Sequence, residues 1–292
     1  MAYDARIVDL LKLADHAGRL IMEVYGSDFK YQDKADGSPV TAADHRSYEA
    51  ISSGLARLYP DIPLLSEEGK EVSHSARAGW NKFWLVDPLD GTKEFIQKLG
   101  QFTVNIALVE DCRPVLGIVH APARGSFYFA AKGMGAYRIC GADLPDKARD
   151  IDDIMARAEK LPLAGSRKGL IVIASRSHAV KETQEYIDSL KKEFGEPEIT
   201  NIGSALKLCL VAEGAADLYP RFGPTMEWDV GAGQIVVEET GGAILSLATR
   251  KPLEYNKESL VNPRFLVVSG GMARRLGGQG RSCDYLLKGV GA

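Results

Sequence analysis

Asp87 and Asp90 are two carboxylates three residues apart at the end of an apolar run, WLVDPLDGT (84–92). Pro88 removes a backbone donor and fixes φ, so the chain must leave a strand directly after Asp87, and the glycine that follows Asp90 permits a tight turn. Both carboxylates can therefore converge on one point, where like charges repel unless a cation lies between them. With water and the Leu89 carbonyl, which the turn frees, they form an all-oxygen ligand set suited to Mg²⁺.

The same pair also fits a purely structural role, because a DxxD can form an Asx-turn or place Asp90 as the cap of a helix beginning near Thr92. Other acidic residues stand at the ends of predicted elements: Glu67 and Glu68 in LLSEEG (64–69), Asp229 in EWDVGAG (227–233), and Asp36 and Asp44 in KADGSPVTAAD (34–44). Each of these also fits a surface turn or a helix cap. Together, they are what a multi-metal phosphate site requires.

The elements that must position these residues fall into two regions. Apolar spacing predicts helices over 5–25 and 41–58, then strands that we expect to form an antiparallel meander: 62–65, 83–86, 102–110, 115–122 and 126–132. After a polar connection at 141–168, strands at 170–175, 198–201 and 216–220 alternate with helices at 179–194, 204–213 and 229–239, and the strands AILSL and FLVVS follow. We therefore expect an N-terminal α+β domain at 1–150 with most metal ligands, and a C-terminal α/β domain at 165–292 contributing Asp229 and substrate contacts.

Composition narrows the class of protein. The 292 residues, 45% of them hydrophobic, suffice for one large core or two moderate ones. A net charge of −3 with dispersed Lys and Arg argues against a nucleic-acid polymer as partner, and no apolar stretch predicts an integral membrane segment. The four cysteines form no CxxC and the histidines no HxH or HExxH pair, so we expect reduced thiols, no zinc site and a soluble intracellular protein.

Taken together, LLSEEG, WLVDPLDGTKEF and EWDVGAG resemble the inositol monophosphatase-like superfamily of Mg²⁺-dependent, lithium-sensitive phosphatases. DPLDGT is similar to its first signature, and WDVGAGQIVVEETGG is similar to its second. DGTKEF, SRSH, GSALK and AEGAADLYPRFGPT, in that order, resemble its CysQ-type 3'(2'),5'-bisphosphate nucleotidase branch, and the resemblance spans about residues 5–270. It implies an α+β fold, a layered αβαβα sandwich of the inositol monophosphatase and sugar phosphatase type.

The resemblance implies Mg²⁺ as cofactor, with two or three ions per active site. The implied metal ligands are Glu67, Asp87, the Leu89 carbonyl, Asp90 and Asp229. Asp87 would be shared between two ions, and Glu67 and Asp36 would lie near a third, weaker site. Asp36 and the Thr92 hydroxyl would together orient the attacking water.

Substrate binding is expected at the aspartate turn and where helices begin in the second region, because helix N–H groups can meet a phosphate there. The expected residues are Gly91, Thr92, Lys93, Ser175, Arg176, His178, Gly203, Ser204, Lys207 and Arg221. Arg221 follows a predicted strand and could reach a second phosphate. His178, Lys207 and Arg221 fit ordinary surface positions equally well.

The implied reaction is hydrolysis of 3'-phosphoadenosine 5'-phosphate to AMP and phosphate by metal-activated water, beside sulfate assimilation, with 3'-phosphoadenosine 5'-phosphosulfate as a second substrate. The alternatives are inositol monophosphatase or fructose-1,6-bisphosphatase activity and, from another class, an inactive metal-binding interaction protein. The resemblance implies a small-molecule nucleotide bisphosphate as partner and a cytoplasmic location, with some relatives at the inner face of the bacterial inner membrane. Oligomeric state cannot be read from the sequence.

Overall fold

The computed structural model describes residues 4–34, 39–141, 148–163, 169–174 and 181–287. Four residues predicted for the site lie outside these ranges: Asp36, Ser175, Arg176 and His178. The roles assigned to them stay predictions.

Two long helices form an outer layer. α1 (Asp4–Tyr25) presents an apolar stripe that includes Leu10, Ala14 and Ile21, all fully buried. A short antiparallel hairpin, β1 (Tyr31–Asp33) and β2 (Pro39–Thr41), leads into α2 (Ala42–Leu58). Thr41 caps α2, accepting a hydrogen bond from Ala43 N at 3.0 Å, so this helix begins where the sequence predicted.

A seven-stranded sheet lies against α1 and α2. Its strands, in spatial order, are β3 (Leu64–Ser66), β4 (Lys82–Asp90), β5 (Thr103–Glu110), β6 (Arg113–Ala121), β7 (Ser126–Ala131), β8 (Gly135–Cys140) and β9 (Glu159–Lys160). The strands from β4 to β9 pair with their neighbours in antiparallel fashion, which confirms the predicted meander from 83 to 132. The prediction is wrong for the strand expected at 62–65, because β3 pairs in parallel with β4. Short helices α3 (His74–Arg77) and α4 (Thr92–Ile96) flank β4, and α5 (Ile151–Met155) precedes β9. The segment predicted to be irregular at 141–168 therefore contains a helix and a strand.

The second region alternates strands and helices as predicted. In chain order it contains β10 (Ile171–Ala174), α6 (Lys181–Phe194), β11 (Glu198–Asn201), α7 (Leu206–Ala212), β12 (Leu218–Arg221), α8 (Glu227–Glu238), β13 (Ala243–Ser246), β14 (Phe265–Val268) and α9 (Gly270–Gly277). The five strands form a sheet in the order β11-β10-β12-β14-β13, parallel across the first three and antiparallel across the last three.

The layers follow from which faces are buried. α8 packs on β5 and β6 of the larger sheet, and one hydrophobic cluster joins Leu85 of that sheet, Ile235 of α8 and Phe265 of the smaller sheet. Separate clusters lie beneath α1 and α2 and between the smaller sheet and the outer helices α6 and α9. The result is the αβαβα sandwich that the resemblance implied. Within the described ranges, no helix is long and apolar enough to cross a membrane. The division into domains at 1–150 and 165–292 stays a prediction.

Candidate active site

A cavity of about 500 Å³ lies where the end of β4 meets β12 and the N-terminal ends of α4, α7 and α8. The predicted residues that line it are Glu67, Asp87, Leu89, Asp90, Gly91, Thr92, Lys93, Ser204, Lys207, Arg221 and Asp229. Gly203 does not line the cavity and is buried beside it. A groove of about 550 Å³ between α1 and α2 is slightly larger, but Glu49 is its single carboxylate, so it does not offer the same chemistry.

An irregularity in β4 brings the two aspartates to one side of the sheet. Asp87 pairs with Asn105 of β5, and Asp90 pairs with Thr103, so three residue steps on β4 match two on β5. In a regular strand, residues three apart point to opposite faces, and one extra residue in the ladder cancels that alternation. The Pro88 carbonyl, turned out of the ladder, accepts a hydrogen bond from Ser47 of α2 at 2.7 Å. The sequence analysis expected the chain to leave the strand directly after Asp87, which is wrong, because β4 continues to Asp90 and Pro88 lies in a bulge instead.

Each aspartate of the cluster is oriented by a backbone N–H. Leu89 N donates to Asp87 Oδ1 at 3.0 Å, which is the Asx-turn that the sequence allowed. Met226 N donates to Asp229 Oδ2 at 2.9 Å, a capping-box bond in the first turn of α8. The structural interpretation of Asp87 and Asp229 is therefore confirmed, and it is compatible with the predicted metal-ligand role, because the turn and the cap fix both carboxylates at the cavity wall.

The carboxylates raise each other's pKa. Burial raises the pKa of Asp87 well above its ordinary value, and the charges of Glu67, Asp90 and Asp229 raise it further. Asp229 is shifted in the same direction by burial and by Asp90. Burial also raises the pKa of Asp90, which the positive charge of Lys207 opposes. A group of carboxylates held this close is stable as anions only beside a cation.

Lys34, just after β1, supplies part of that compensation. Its ammonium donates to Glu67 Oε1 at 2.8 Å and also contacts Glu68. As the side chains stand, no three His, Cys, Asp or Glu residues of the described chain converge closely enough to ligate one ion, since the carboxylates are turned toward backbone donors and Lys34. The donor set nevertheless fits a hard divalent cation: it is oxygen only, partly buried and negatively charged. Asn105 Oδ1, buried beside this set on β5, has no hydrogen-bond partner among the described residues.

The Thr92 hydroxyl contacts a carboxylate that the sequence analysis treated only as part of an acidic loop. Thr92 Oγ1 lies 3.1 Å from Asp44 Oδ1 and 3.3 Å from the Leu89 carbonyl. Asp44 is buried in the first turn of α2, and its Oδ2 accepts from Thr41 N and Thr41 Oγ1, both at 2.7 Å. Burial raises the pKa of Asp44, while its hydrogen bonds from Thr41 and Thr92 lower it. The TAAD segment that caps α2 was the available signal, but nothing in it indicated a partner 48 residues away.

Positive and aromatic side chains also line the cavity. Lys207 Nζ donates to the Ser204 carbonyl at 3.2 Å and lies 5.9 Å from the centre of the Tyr219 ring. Burial lowers the pKa of Lys207, and the charge of Asp90 raises it. Arg221, nearly buried, donates to the Pro224 carbonyl at 2.6 Å. The sequence analysis did not assign Tyr219 or Trp228 to the site, and both line the cavity.

Comparison with known proteins gives consistent matches. Residues 5–276 match the model of the inositol monophosphatase family. A curated relative from Escherichia coli O157:H7, named 3'(2'),5'-bisphosphate nucleotidase CysQ, is 47% identical over 262 residues, covering 88% of this chain and 96% of the relative. Among solved structures, CysQ from Bacteroides thetaiotaomicron, described as a bacterial member of the family, superimposes with a TM-score of 0.84 at 42% identity, covering 92% and 98% of the two chains. An inositol monophosphatase from Thermotoga maritima has a TM-score of 0.72 at 24% identity over 98% and 96% of the chains, which shows a shared fold.

Proposed function

Because this chain belongs to the inositol monophosphatase family, we propose that it is a Mg²⁺-dependent 3'(2'),5'-bisphosphate nucleotidase, which hydrolyses 3'-phosphoadenosine 5'-phosphate to AMP and phosphate. Family membership and the nucleotidase relatives make it a metal-dependent phosphatase. The choice of nucleotide bisphosphate is supported by the CysQ relatives at 47% identity over 88% of the chain. The observation that carries the proposal is the β4 bulge, which turns Asp87 and Asp90 into the cavity that Asp229 also lines.

The residues that would hold Mg²⁺ are Glu67, Asp87, the Leu89 carbonyl, Asp90 and Asp229. When bound, such ions neutralise the phosphate charge and lower the pKa of water. The protein supplies the oxygen ligands and fixes them by backbone hydrogen bonds, so little reorganisation is needed during the reaction.

The proton of the attacking water has a path through Thr92. Because Thr92 donates its own proton toward Asp44 Oδ1, its oxygen can accept a hydrogen bond from water in the cavity. As water attacks phosphorus, its proton moves to Thr92 Oγ1 and the Thr92 proton moves to Asp44, while the bond between phosphorus and the 3'-oxygen of the nucleotide breaks and that oxygen takes a proton from solvent. Burial makes Asp44 a stronger base than an exposed aspartate. Asp36, given this role by the resemblance, remains a second candidate.

Substrate selection is proposed to depend on the positively charged side chains that line the cavity. A nucleotide with two phosphates carries more negative charge than an inositol monophosphate, and Lys207 and Arg221 line the same cavity as the carboxylates. Lys93, exposed at the rim, adds a third positive charge. The same features fit 3'-phosphoadenosine 5'-phosphosulfate, whose 3'-phosphate is identical. Removal of these nucleotides would place the protein beside sulfate assimilation.

The test is a substrate panel with and without Mg²⁺: 3'-phosphoadenosine 5'-phosphate, inositol 1-phosphate and fructose 1,6-bisphosphate. We expect the first to have a kcat/KM at least about tenfold higher than the others, a difference of about 1.4 kcal/mol in transition-state stabilisation. Asp90→Asn, purified in parallel, removes one ligand charge and measures any contaminating phosphatase. A tenfold preference for inositol 1-phosphate would reverse the ranking. If wild type releases no more phosphate than Asp90→Asn from any of the three esters, the remaining interpretation is an inactive metal-binding interaction protein.

A further inference from the structure

A backbone N–H from the second region orients the carboxylate of Asp90. Ala205 N, 115 residues away in the chain, donates to Asp90 Oδ2 at 2.5 Å. Among the described residues, the other donor to the same oxygen is Asn105 Nδ2, which is at 3.5 Å and therefore contributes little. The direction of the Ala205 N–H thus sets the orientation of Asp90.

That direction depends on an unfavourable backbone conformation at Ser204. Ser204 has φ of +52°, the left-handed region that non-glycine residues rarely adopt. Such a conformation persists only where the surroundings hold it in place. The preceding residue, Gly203, is held on both sides: its N–H donates to the side-chain oxygen of Gln101 at 2.9 Å, and a Cβ there would lie 2.7 Å from Glu94 Cγ.

Gln101 also forms the surface against which this segment packs. A Cβ at Gly203 would lie 3.0 Å from the Gln101 carbonyl oxygen, and a Cβ at Gly91 would lie 2.9 Å from the same atom. Gln101 therefore contacts both sides of the junction, the turn after Asp90 and the segment before α7. Its side-chain oxygen is the acceptor that fixes one relative to the other.

We propose that Gln101 is a positioning residue for Asp90. Its side-chain oxygen holds Gly203, which fixes the left-handed turn at Ser204 and aims the Ala205 N–H at Asp90 Oδ2. Ser204 and Lys207 belong to the same segment, so one hydrogen bond places a metal ligand and two cavity residues together. The inference rests on the proposed function only in taking Asp90 as a metal ligand.

The experiment compares Mn²⁺ binding to the metal-free protein, followed by electron paramagnetic resonance, in wild type and three variants. Gln101→Met keeps the length of the side chain and removes the acceptor, and Gln101→Glu keeps the acceptor. Gln97→Met makes the same chemical change at an exposed position on the C-terminal end of α4. We expect Gln101→Met to weaken Mn²⁺ binding about fivefold, the effect of one lost hydrogen bond. The dissociation constants of Gln101→Glu and Gln97→Met should be no more than about twofold higher than that of wild type.

A second measurement needs no metal. Hydrogen exchange of a peptide covering residues 203–207 should be faster in Gln101→Met than in wild type or Gln97→Met, because the Gly203 N–H loses its acceptor and the Ala205 N–H is then no longer held toward Asp90. Mn²⁺ affinity of Gln101→Met within twofold of wild type, or equal weakening in Gln101→Glu, would overturn the proposal. If Gln101→Met does not fold by circular dichroism, Gln101→Asn, which withdraws the acceptor by one methylene, is judged by the same criteria. Neither readout uses a substrate, so a failure of the nucleotidase assignment is seen separately in the substrate panel.

Discussion

At the scale of single residues, a hydroxyl without acidity of its own connects the candidate metal ligands to a base. Thr92 bonds Asp44 at 3.1 Å and the Leu89 carbonyl at 3.3 Å. We expect Thr92→Ala to lower kcat by about two orders of magnitude, the usual contribution of general acid–base catalysis, with an unchanged Mg²⁺ concentration for half-maximal activity. Thr92→Ser keeps the hydroxyl and is the matched control. A kcat for Thr92→Ala close to that of Thr92→Ser would contradict the proposed proton path through Thr92.

The two carboxylates that could accept the proton are separated by their own substitutions. Asp44→Asn removes the charge that contacts Thr92 and retains the shape of the side chain. We expect it to lower kcat more than Asp36→Asn does, because in the described structure Asp44 is the carboxylate within hydrogen-bond distance of Thr92. Asp44 also completes the cap of α2, so urea unfolding of both variants must accompany the kinetics. A larger decrease in kcat for Asp36→Asn than for Asp44→Asn would indicate that Asp36, as the resemblance implied, accepts the proton.

We expect Lys207 to distinguish bisphosphate from monophosphate substrates. It lines the cavity beside Tyr219. Lys207→Met keeps most of the side-chain volume and removes the charge, so we expect KM for 3'-phosphoadenosine 5'-phosphate to rise about tenfold and KM for inositol 1-phosphate to change much less. The two KM values measured on one preparation provide the internal control. An equal rise in both would indicate that Lys207 binds the phosphate that is cleaved.

At the scale of elements, the position of Asp229 depends on how closely α8 approaches the larger sheet. A Cβ at Gly117 of β6 would lie 2.4 Å from the Ala232 carbonyl oxygen of α8 and 2.6 Å from the Ile235 side chain. We expect Gly117→Ala to lower the free energy of unfolding by about 1–3 kcal/mol, because the helix must shift to admit the methyl group. Urea unfolding measures the loss. Gly79→Ala, where a Cβ would have no atom within 4 Å, is the control and should unfold near the wild-type midpoint.

The elements that hydrophobic periodicity specifies were predicted from sequence, and the short polar ones were not. α2 was expected over 41–58 and spans Ala42–Leu58, since one apolar stripe and one cap define it. β9 has two exposed residues, Glu159 and Lys160, so its pairing with β8 leaves no apolar pattern to read. α7 begins at Leu206 rather than 204, because Ser204 is in a left-handed turn.

In the candidate site, too, some features were predicted from the sequence and others were not. Residue type and spacing predicted that the carboxylates of β4 and α8 belong to one site, and the family resemblance predicted them as metal ligands, a role that stays a prediction. The contacts that orient them could not be read. The hydrogen bond of Thr92 to Asp44 spans 48 residues, and that of Asp90 to Ala205 spans 115 and uses a backbone N–H, which has no sequence signature. Candidate ligands can therefore be predicted from short stretches of sequence, whereas the orientation of their side chains depends on contacts that form only in the folded structure.

At the scale of the whole molecule, the candidate metal ligands come from distant parts of the chain. Glu67 follows β3, Asp87 and Asp90 end β4, and Asp229 lies in α8 between the two sheets. An ion bound by them would connect elements that otherwise meet through apolar packing and a few hydrogen bonds. A ligand that binds only the folded chain stabilises it by about 2.7 kcal/mol at a concentration of 100 times its dissociation constant.

The pKa shifts set how that stabilisation depends on pH. Burial, with repulsion from neighbouring carboxylates, raises the pKa of Asp87 and Asp229 in the folded, metal-free protein above that of the unfolded chain. Such groups contribute stability that is present at low pH and lost as pH rises through the folded pKa, so metal-free protein should lose stability from these groups as pH rises above the ordinary range of an aspartate. Mg²⁺ needs the deprotonated ligands, so its affinity increases as pH rises.

We therefore expect the rise in Tm on adding saturating Mg²⁺ to be larger at about pH 8 than at about pH 5, as measured by thermal unfolding with and without chelator. Asp87→Asn removes one raised carboxyl, and its metal-free Tm should fall less with pH while its response to Mg²⁺ shrinks. An equal Mg²⁺ response at both pH values would mean that these carboxylates do not exchange protons for the ion.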